Sequence, residues 1–289
     1  MKNFYKAIQF MLLSTSLFGL MNALVKYFID YPTFELVFFR SGFSLLIAFA
    51  YLLYFKIPIW GNQKALLVTR GLIGSTSMIL FFTSVHFISL GSAVTLRYTA
   101  PLFAAFLAVI FLGERIKPWQ WFFFGITFSG VIMIKGFDPT VSLLGLIIAL
   151  ASAFFSAGVY ILLNKIGFGD HPVVVVFYFM LIATTLGALG MIFTEWHQPA
   201  LWHWPGLILL GVFGFLAQLF MTQAFRTYEA NMVAPFKYVE VFFTLTFGIF
   251  LFEEHYTFFS LLGIFLIILG LVLNIRFKAK IQKKTNFKD

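Results

Sequence analysis

Ala234-Pro-Phe-Lys-Tyr-Val-Glu240 places a lysine, a tyrosine and a glutamate within one helical turn. The stretch lies in an apolar run from Asn231 to Phe252, and its second half, from Val241 onward, carries no charge until the run ends. An ionisable side chain at membrane depth costs about 2.5–3.5 kcal/mol on insertion scales, so such groups usually have a function. We therefore treat this stretch as the centre of the candidate site.

The same pattern occurs 140 residues earlier, where Arg97 and Tyr98 stand in place of Lys237 and Tyr238. The same offset aligns further pairs along the chain: Pro32 with Pro172, Gly71 with Gly211, Gly74 with Gly214, Glu114 with Glu254, Gly130 with Gly270, and, one residue off, Lys26 with Lys165. A constant offset predicts an internal repeat. We place the first copy at residues 1–137, the second at 138–275, and a basic, disordered tail at 276–289.

The composition is that of an integral membrane protein. Of the 289 residues, 61% are hydrophobic and 11% are charged, whereas a soluble domain has about 25% charged residues. The net charge of +9 does not indicate a nucleic-acid partner, because the basic residues lie mostly in short links and in the tail, as they do in membrane proteins. The absence of cysteine excludes disulfides and thiolate metal sites.

The apolar runs predict an all-α fold with ten transmembrane helices. A spanning helix needs about 20 mostly apolar residues, and the runs lack the alternation of a membrane β-barrel. The predicted spans are 7–28, 34–54, 67–87, 92–112, 118–135, 141–163, 173–193, 205–225, 231–252 and 257–275.

The distribution of basic residues predicts that both termini are cytoplasmic. Fifteen of the 20 lysines and arginines, Arg70 among them, fall on the side of the termini, and Lys26 and Lys135 fall on the other. Each copy holds five spans, an odd number, so the second copy is inserted upside down. Such inverted repeats are typical of transporters, in which the two copies exchange conformations. We predict a multi-pass protein of the inner (plasma) membrane.

The chain resembles the drug/metabolite transporter superfamily, in particular ten-helix carriers with two EamA domains. The resemblance rests on Phe34-Glu-Leu-Val-Phe-Phe-Arg40, on Pro101…Leu112-Gly-Glu114 with Gly130 beyond, and on Ala234 to Glu240 followed by Glu254. The first and last of these are most similar to the S-adenosylmethionine-uptake branch. The sequence departs from the family pattern at Val241, where a proline is expected, and at Phe252-Glu-Glu254, which stands for Leu-Gly-Glu.

Five residues form the predicted substrate site. Arg97 and Lys237 would hold an anionic group in alternate states, while Glu240 would meet a cationic group or a proton. Tyr98 and Tyr238 would stack on the ligand and donate hydrogen bonds. Helix geometry places the two cations toward opposite mouths of a path, with the carboxylate near its centre. The alternative is a static Arg97–Glu240 or Lys237–Glu240 bridge that only neutralises buried charge.

Other polar residues could contribute to the site or only to packing. Asn22, His86 and Gln223 are candidates for hydrogen bonds to substrate, although small polar residues also join helices to each other. Pro101 would kink the fourth helix and free the carbonyl of Arg97. Glu35 and Arg40 would form a structural or gating pair.

Charged residues at the helix ends have simpler predicted roles. Lys26 and Lys165 would anchor helix ends at the interface. Glu114 and Glu254 would satisfy backbone groups in the links that follow their helices.

The sequence carries no signature of an enzyme. It has no His-Glu-x-x-His, no Gly-x-Ser-x-Gly and no P-loop, so we predict no catalysis, no cofactor, no metal and no primary pump. The prediction is a secondary transporter of a small carboxylate-bearing metabolite. The resemblance suggests S-adenosylmethionine, whose carboxylate, two cationic centres and purine match Arg97/Lys237, Glu240 and Tyr98/Tyr238.

Several alternatives remain open from the sequence. One is an exporter of amino acids or of organic cations and drugs, and another is a non-transporting accessory protein in which the charges at 97, 237 and 240 are buried against each other. The expected partners are a small-molecule substrate and the lipid bilayer, without nucleic acid. A coupling proton, a counter-substrate and a homodimer are each compatible with the sequence.

Overall fold

A computed structural model describes residues 2–112, 117–137, 141–167, 169–228 and 233–285. Within these ranges the chain is helical and contains no strand. Its α-helices are α1 Lys2–Tyr27, α2 Thr33–Tyr54, α3 Lys64–Val85, α4 Leu90–Arg97, α5 Ala100–Leu112, α6 Pro118–Phe137, α7 Leu143–Ile166, α8 Pro172–Met191, α9 Trp204–Thr227, α10 Val239–Phe252 and α11 Phe258–Thr285. Short 3-10 helices, Leu201–His203 and Ala234–Tyr238, precede α9 and α10.

Eight helical segments in the described part of the chain are long and apolar enough to cross a membrane. They are α1, α2, α3, α4 with the first part of α5, α7, α8, α9 and α11, so the chain is a multi-pass membrane protein. The predicted fifth and ninth spans coincide with α6 and α10 and are not among the eight. α10 has only 14 residues, and α6 begins with Pro-Trp-Gln-Trp and carries Lys135 near its end.

The predicted tail is wrong in one respect, because the chain beyond residue 275 is not disordered throughout. α11 continues without interruption to Thr285. Lysine, arginine, glutamine and alanine all favour the helix, and extending a helix that already exists avoids the cost of nucleation. The basic residues up to Lys284 therefore lie in a helical extension of the last span.

The fourth predicted span is divided into two helices rather than kinked. α4 ends at Arg97, a turn follows at Tyr98 and Thr99, and α5 begins at Ala100. Pro101 lies in the first turn of α5, where a residue without a backbone N–H is well tolerated. The Thr99 hydroxyl donates to the Leu96 carbonyl at 2.7 Å. The prediction that Pro101 sits inside a continuous helix is therefore wrong.

The helices recur at the spacing seen in the sequence. Adding 140 to the bounds of α1, α2 and α3 gives 142–167, 173–194 and 204–225, close to the bounds of α7, α8 and α9. Equivalent helices make equivalent contacts between the halves. α1 packs on α9, and its equivalent α7 packs on α3. In the same way, α2 packs on α9 and its equivalent α8 packs on α3. α2 pairs with its equivalent α8, and α6 with its equivalent α11. The two halves thus face each other in an approximately twofold arrangement.

α6 and α11 cross so closely that their backbones touch. A Cβ atom on Gly130 would lie 2.5 Å from the carbonyl oxygen of Gly263, and one on Gly263 would lie 2.7 Å from the oxygen of Gly130. Without a hydrophobic driving force between helices in lipid, small residues permit such contact and gain packing energy from it. Neither carbonyl can move aside unless the two helices separate.

Gly130→Ala should therefore destabilise the protein, and we expect it to lower the melting temperature in detergent by several degrees. Overpacking of this kind costs about 1–3 kcal/mol. Gly125→Ala is the matched control, because it lies on the same helix and a Cβ there would meet nothing within 4 Å. Replacing a helical glycine by alanine otherwise gains about 0.5–1 kcal/mol, so Gly125→Ala should melt no lower than the native protein. Equal melting of the two variants would contradict the close crossing.

Candidate functional site

A cavity of about 80 Å³ lies between the two halves of the chain. Both halves contribute to its wall, through α1, α3 and α4 from the first and α7 to α10 from the second. It lies toward the end of the bundle at which α3 and α8 begin and α7 and α9 end. Its charged and polar lining residues are Arg70, Ser77, Arg97, Tyr98, Ser156, Tyr160, Gln218, Lys237 and Glu240.

Glu240, in the first turn of α10, is held by two neutral donors. Asn22 on α1 donates from Nδ2 to Oε1 at 2.9 Å, and the Tyr98 hydroxyl donates to Oε2. The carboxyl group is buried, with the residue only 4% exposed. Three segments distant in sequence thus converge on one carboxylate, and its hydrogen bonds from the described residues come from no cation.

The two predicted cations line the same cavity but do not pair with Glu240. Lys237 Nζ lies 5.4 Å from the centre of the Tyr98 ring and 3.5 Å from the Tyr160 hydroxyl. Arg97 Cζ lies 4.6 Å from the centre of the Phe81 ring. Among the residues that the structure describes, the ion pair within 4 Å is Lys26–Glu254. Neither static bridge considered from the sequence is therefore formed.

Tyr98 and Tyr238 contact each other edge to face. Their ring centres are 5.3 Å apart with an interplanar angle of 88°, and both side chains are buried. Tyr98 reaches the cavity and Glu240, whereas Tyr238 packs behind it and is not part of the cavity wall. The equivalent tyrosines of the two halves thus meet beside the site.

Two predicted hydrogen-bonding residues lie away from the cavity. Gln223 is exposed on α9, and Gln218, one and a half turns earlier, is the buried residue that lines the wall. His86 follows the end of α3, half-buried, with Nδ1 lacking a hydrogen-bond partner, and it is not part of the cavity wall. The hydropathy of a span does not show which face of the helix a residue occupies, so both residues were placed in the site without that information.

The predicted Glu35–Arg40 pair is wrong. Glu35 Oε1 accepts a hydrogen bond from the His197 backbone N–H at 2.7 Å. Arg40 Nη1 instead contacts the sulfur of Met180 at 3.1 Å. Five residues on an α-helix turn the chain through about 140° beyond a full turn, so the two side chains point to different neighbours.

Arg70 is the functional candidate that the sequence reasoning missed. It was counted among the residues of the cytoplasmic links, yet it lines the cavity and is only 2% exposed. Its Cζ lies 4.3 Å from the centre of the Phe179 ring, and neither Nε nor Nη1 has a hydrogen-bond partner among the described residues. The signal was present, because the predicted span 67–87 already includes residue 70. The equivalent position in the second half is Leu210.

A second group of polar residues closes the opposite end of the bundle. Lys26 Nζ lies 3.1 Å from Glu254. The same carboxylate accepts the Leu90 N–H at 3.0 and 3.1 Å and the Tyr256 hydroxyl, which in turn accepts the Gly91 N–H at 3.1 Å. We call Lys26, Glu254, Tyr256 and the Leu90–Gly91 backbone the Glu254 cluster.

The Glu254 cluster joins α1 and the α10–α11 link to the N-terminus of α4. Burial and the neighbouring carboxylate raise the pKa of Tyr256 above its ordinary value, so its hydroxyl stays protonated and donates to Glu254. Lys26 forms an ion pair and is not merely an interfacial anchor, so that prediction is wrong. The prediction that Glu254 satisfies backbone groups is confirmed, although those groups belong to α4. Glu114 lies outside the described residues.

In the described part of the chain, no three His, Cys, Asp or Glu residues are grouped so that they could hold a metal ion.

Comparison with known proteins identifies the class of protein. The model of the EamA-like transporter family matches residues 5–136 and again 143–276. The pseudopaline exporter CntI of Pseudomonas aeruginosa is 29% identical over 82% of this chain and 84% of its own length. Human solute carrier family 35 member G1 is 30% identical over 84% of this chain and 71% of its own length.

Two further similarities extend the comparison. The S-adenosylmethionine uptake transporter of Rickettsia prowazekii is 24% identical over 88% of this chain and 87% of its own length. A solved crystal structure superimposes with a TM-score of 0.66 over 93% of this chain and 94% of its own, at 16% identity, and shows the same fold. The matching family and relatives are transporters and not enzymes. The chain is therefore a membrane transporter of the EamA-like family, in the drug/metabolite transporter superfamily that its sequence resembles.

Proposed function

We propose that this protein is a secondary transporter that moves a small carboxylate-bearing metabolite across the inner membrane by alternating access. The observation that carries the proposal is a cavity between the two halves whose wall holds the buried Arg70 and the half-buried Arg97 and Lys237, none of which has a carboxylate within 4 Å in the described part of the chain. A non-transporting accessory protein would instead bury these charges against each other and leave no cavity.

The proposed topology has ten spanning segments in two inverted repeats, residues 1–137 and 138–275, with both termini in the cytoplasm. α6 and the 3-10 helix 234–238 with α10 supply the two segments beyond the eight strongly apolar ones. The reciprocal packing of equivalent helices supports the repeat. The excess of lysine and arginine on the side of the termini supports the orientation.

Five of the predicted site residues receive a role in this proposal. Arg97 and Lys237 bind the carboxylate, since both are available to a ligand within the cavity. Glu240 binds an ammonium group or a coupling proton, and Asn22 and Tyr98 hold its carboxylate in place. The Tyr98 ring also lies beside Lys237 and offers a stacking surface.

The proposed orientation also indicates to which side of the membrane the cavity belongs. The cavity lies in the half of the bundle that holds the start of α3 and the end of α9, which is the cytoplasmic half. The Glu254 cluster then closes the outer end. This arrangement supports an inward-facing state, which alternating access requires at one stage of the cycle.

The charges in the cavity bear on the substrate. The wall carries Arg70, Arg97 and Lys237 against one carboxylate, Glu240, which favours metabolites with a net negative charge. S-adenosylmethionine, with two cationic centres and one carboxylate, suits Arg97, Lys237 and Glu240 but not the additional Arg70. It stays a second candidate because the stretch from Ala234 to Glu240 resembles that branch and a named relative takes it up.

Transport in proteoliposomes tests the proposal. We expect saturable uptake of a labelled amino acid or organic acid, with labelled L-glutamate and S-adenosylmethionine as the first two probes. Lys237→Ala should raise the half-saturation concentration about tenfold to a hundredfold, since a hydrogen bond to a charged group contributes about 1.5–3 kcal/mol. Gln223→Ala, exposed outside the cavity, is the matched control and should behave as native.

Two results would count against the proposal. Native kinetics in Lys237→Ala would remove the lysine from the site. Failure of the folded native protein to carry any compound in a panel of amino acids, organic acids and S-adenosylmethionine would contradict carboxylate transport. Comparison of uptake with efflux from preloaded vesicles determines the direction, for which the relatives include both an exporter and an uptake transporter.

A further inference from the structure

We propose that Arg70 forms a second anion-binding point in the cavity, so that the natural substrate carries two anionic groups. This inference rests on the proposed transport function and narrows its substrate class. It assigns a role to a residue that neither the repeat pattern nor the positive-inside count had placed in the site.

The environment of Arg70 is that of a ligand-binding side chain without its ligand. The residue is 2% exposed and lies six positions inside α3. The part of the chain that the structure describes offers no acceptor to Nε or Nη1. A buried charge normally has hydrogen-bonded partners, because its transfer from water is otherwise too costly. Since the guanidinium is part of the cavity wall, an anion in the cavity can supply the missing acceptors.

Phe179 holds the Arg70 side chain in position. The guanidinium carbon lies 4.3 Å from the centre of the Phe179 ring, a cation–π contact that orients the group without using its N–H donors. An oriented guanidinium presents a planar set of donors that matches a carboxylate. The hydroxyls of Ser77 and Ser156, 2.7 Å apart on the same wall, are further groups within the cavity.

Charge balance in the cavity points to a dianion. Arg97 and Lys237 can share one carboxylate and Glu240 can meet an ammonium group, as in an ordinary amino acid. Arg70 then stays uncompensated, because its repeat-equivalent position is Leu210 and the described part of the wall contributes no second acid. A second carboxylate on the substrate would complete the balance. The chemical class is therefore a dicarboxylate, in particular one that carries an amino group.

Arg40 is a buried arginine on the same ring that lies outside the cavity. Its Cζ is 5.5 Å from the centre of the Phe179 ring. Its Nε, like that of Arg70, has no hydrogen-bond partner among the described residues, but its Nη1 contacts the Met180 sulfur and it is not part of the cavity wall. Arg40 thus provides a matched control, on the same ring but outside the site.

The test compares ligands that differ by one negative charge. L-Glutamate and L-glutamine have nearly the same shape, and so have succinate and succinamate. We would measure stabilisation of the purified protein against heat by each compound at constant ionic strength, for the native protein, Arg70→Met and Arg40→Met. We expect the native protein to bind the dicarboxylate of each pair about tenfold more tightly than the amide. Arg70→Met should lose this preference, and Arg40→Met should keep it at a lower melting temperature.

The outcomes separate this inference from the proposed function. Equal binding of acid and amide by the native protein, or an unchanged preference in Arg70→Met, would overturn the second anion site and leave carboxylate transport standing. Absence of binding by every carboxylate would overturn both. If Arg70→Met does not fold, Arg70→Gln supplies the same neutral site with a polar side chain, and its retention of the preference would be equally decisive against the inference.

Discussion

Glu240→Gln should reduce transport by about a hundredfold or more. The site loses its one negative charge, and with it a charge-assisted hydrogen bond to the carboxylate. Glutamine has the same shape but cannot bind a proton or pair with an ammonium group. It also has one acceptor oxygen where Asn22 and Tyr98 both donate. One of these buried donors is left unsatisfied, at a cost of about 1–3 kcal/mol. Initial uptake rates in proteoliposomes, across a range of substrate concentrations, measure the effect.

Tyr98→Phe is the control for the Glu240 prediction. It removes one donor from the carboxylate and keeps both the charge and the Asn22 contact. We expect a loss of about tenfold, the lower end of what a hydrogen bond to a charged group contributes (about 1.5–3 kcal/mol), because the charge and the Asn22 contact remain. Equal losses in the two variants would mean that the geometry of the carboxylate matters and its charge does not. Native transport by Glu240→Gln would reduce the glutamate to a packing role.

Glu254→Ala should open the end of the bundle opposite the cavity. The change removes the ion pair with Lys26 and the acceptors of Leu90 and Tyr256 together. A conformation open at this end must break these contacts. Without them, we expect the equilibrium between the closed and the open end to shift toward the open form by about tenfold to a hundredfold, equivalent to about 1.4–2.7 kcal/mol. The chain contains no cysteine, so a single Ser156→Cys in the cavity wall reports access without further engineering.

The expected result is faster labelling of that cysteine by a membrane-impermeant thiol reagent added from outside the cell. In the background with Glu254 intact, the same cysteine should react slowly. Glu253→Ala is the neighbouring control, an exposed carboxylate in the same link. It has a left-handed backbone, with φ of 52°, which alanine and glutamate tolerate equally poorly. Equal labelling in all three proteins would show that the Glu254 cluster does not hold this end closed.

The positions of eight of the ten predicted spans were predictable because lipid imposes a simple requirement. Each spanning segment must be long and apolar and satisfy its own backbone hydrogen bonds. The break at Tyr98–Thr99 was not predictable on this basis, since Leu90–Leu107 as a whole is long and apolar enough to be one span. The 3-10 helix over Ala234–Tyr238 was not predicted for the same reason. Both interruptions lie beside the cavity.

The candidate site was predicted in part. Intramembrane charge drew attention to Arg97, Lys237 and Glu240, which the structure places around one cavity. Arg70 was missed because a basic residue near a helix end was taken as an orientation signal. Gln223 was included because its face was unknown. In lipid, buried and lipid-facing sides are both apolar, so the sequence of a spanning helix carries little of the amphipathic signal that marks the inner face in soluble proteins.

The lack of an Arg70 counterpart in the second half makes the proposed carrier kinetically asymmetric. When the halves exchange conformations, the position equivalent to Arg70 is the apolar Leu210. The substrate would then bind tightly on the cytoplasmic face and weakly on the other. During export it would be released easily outside, and during import it would be captured there with low affinity. Such a difference does not change the gradient that the carrier can reach at equilibrium. It does mean that a higher half-saturation concentration outside is matched by a higher maximal velocity from that side, so that the carrier saturates at much lower solute concentrations from the cytoplasm.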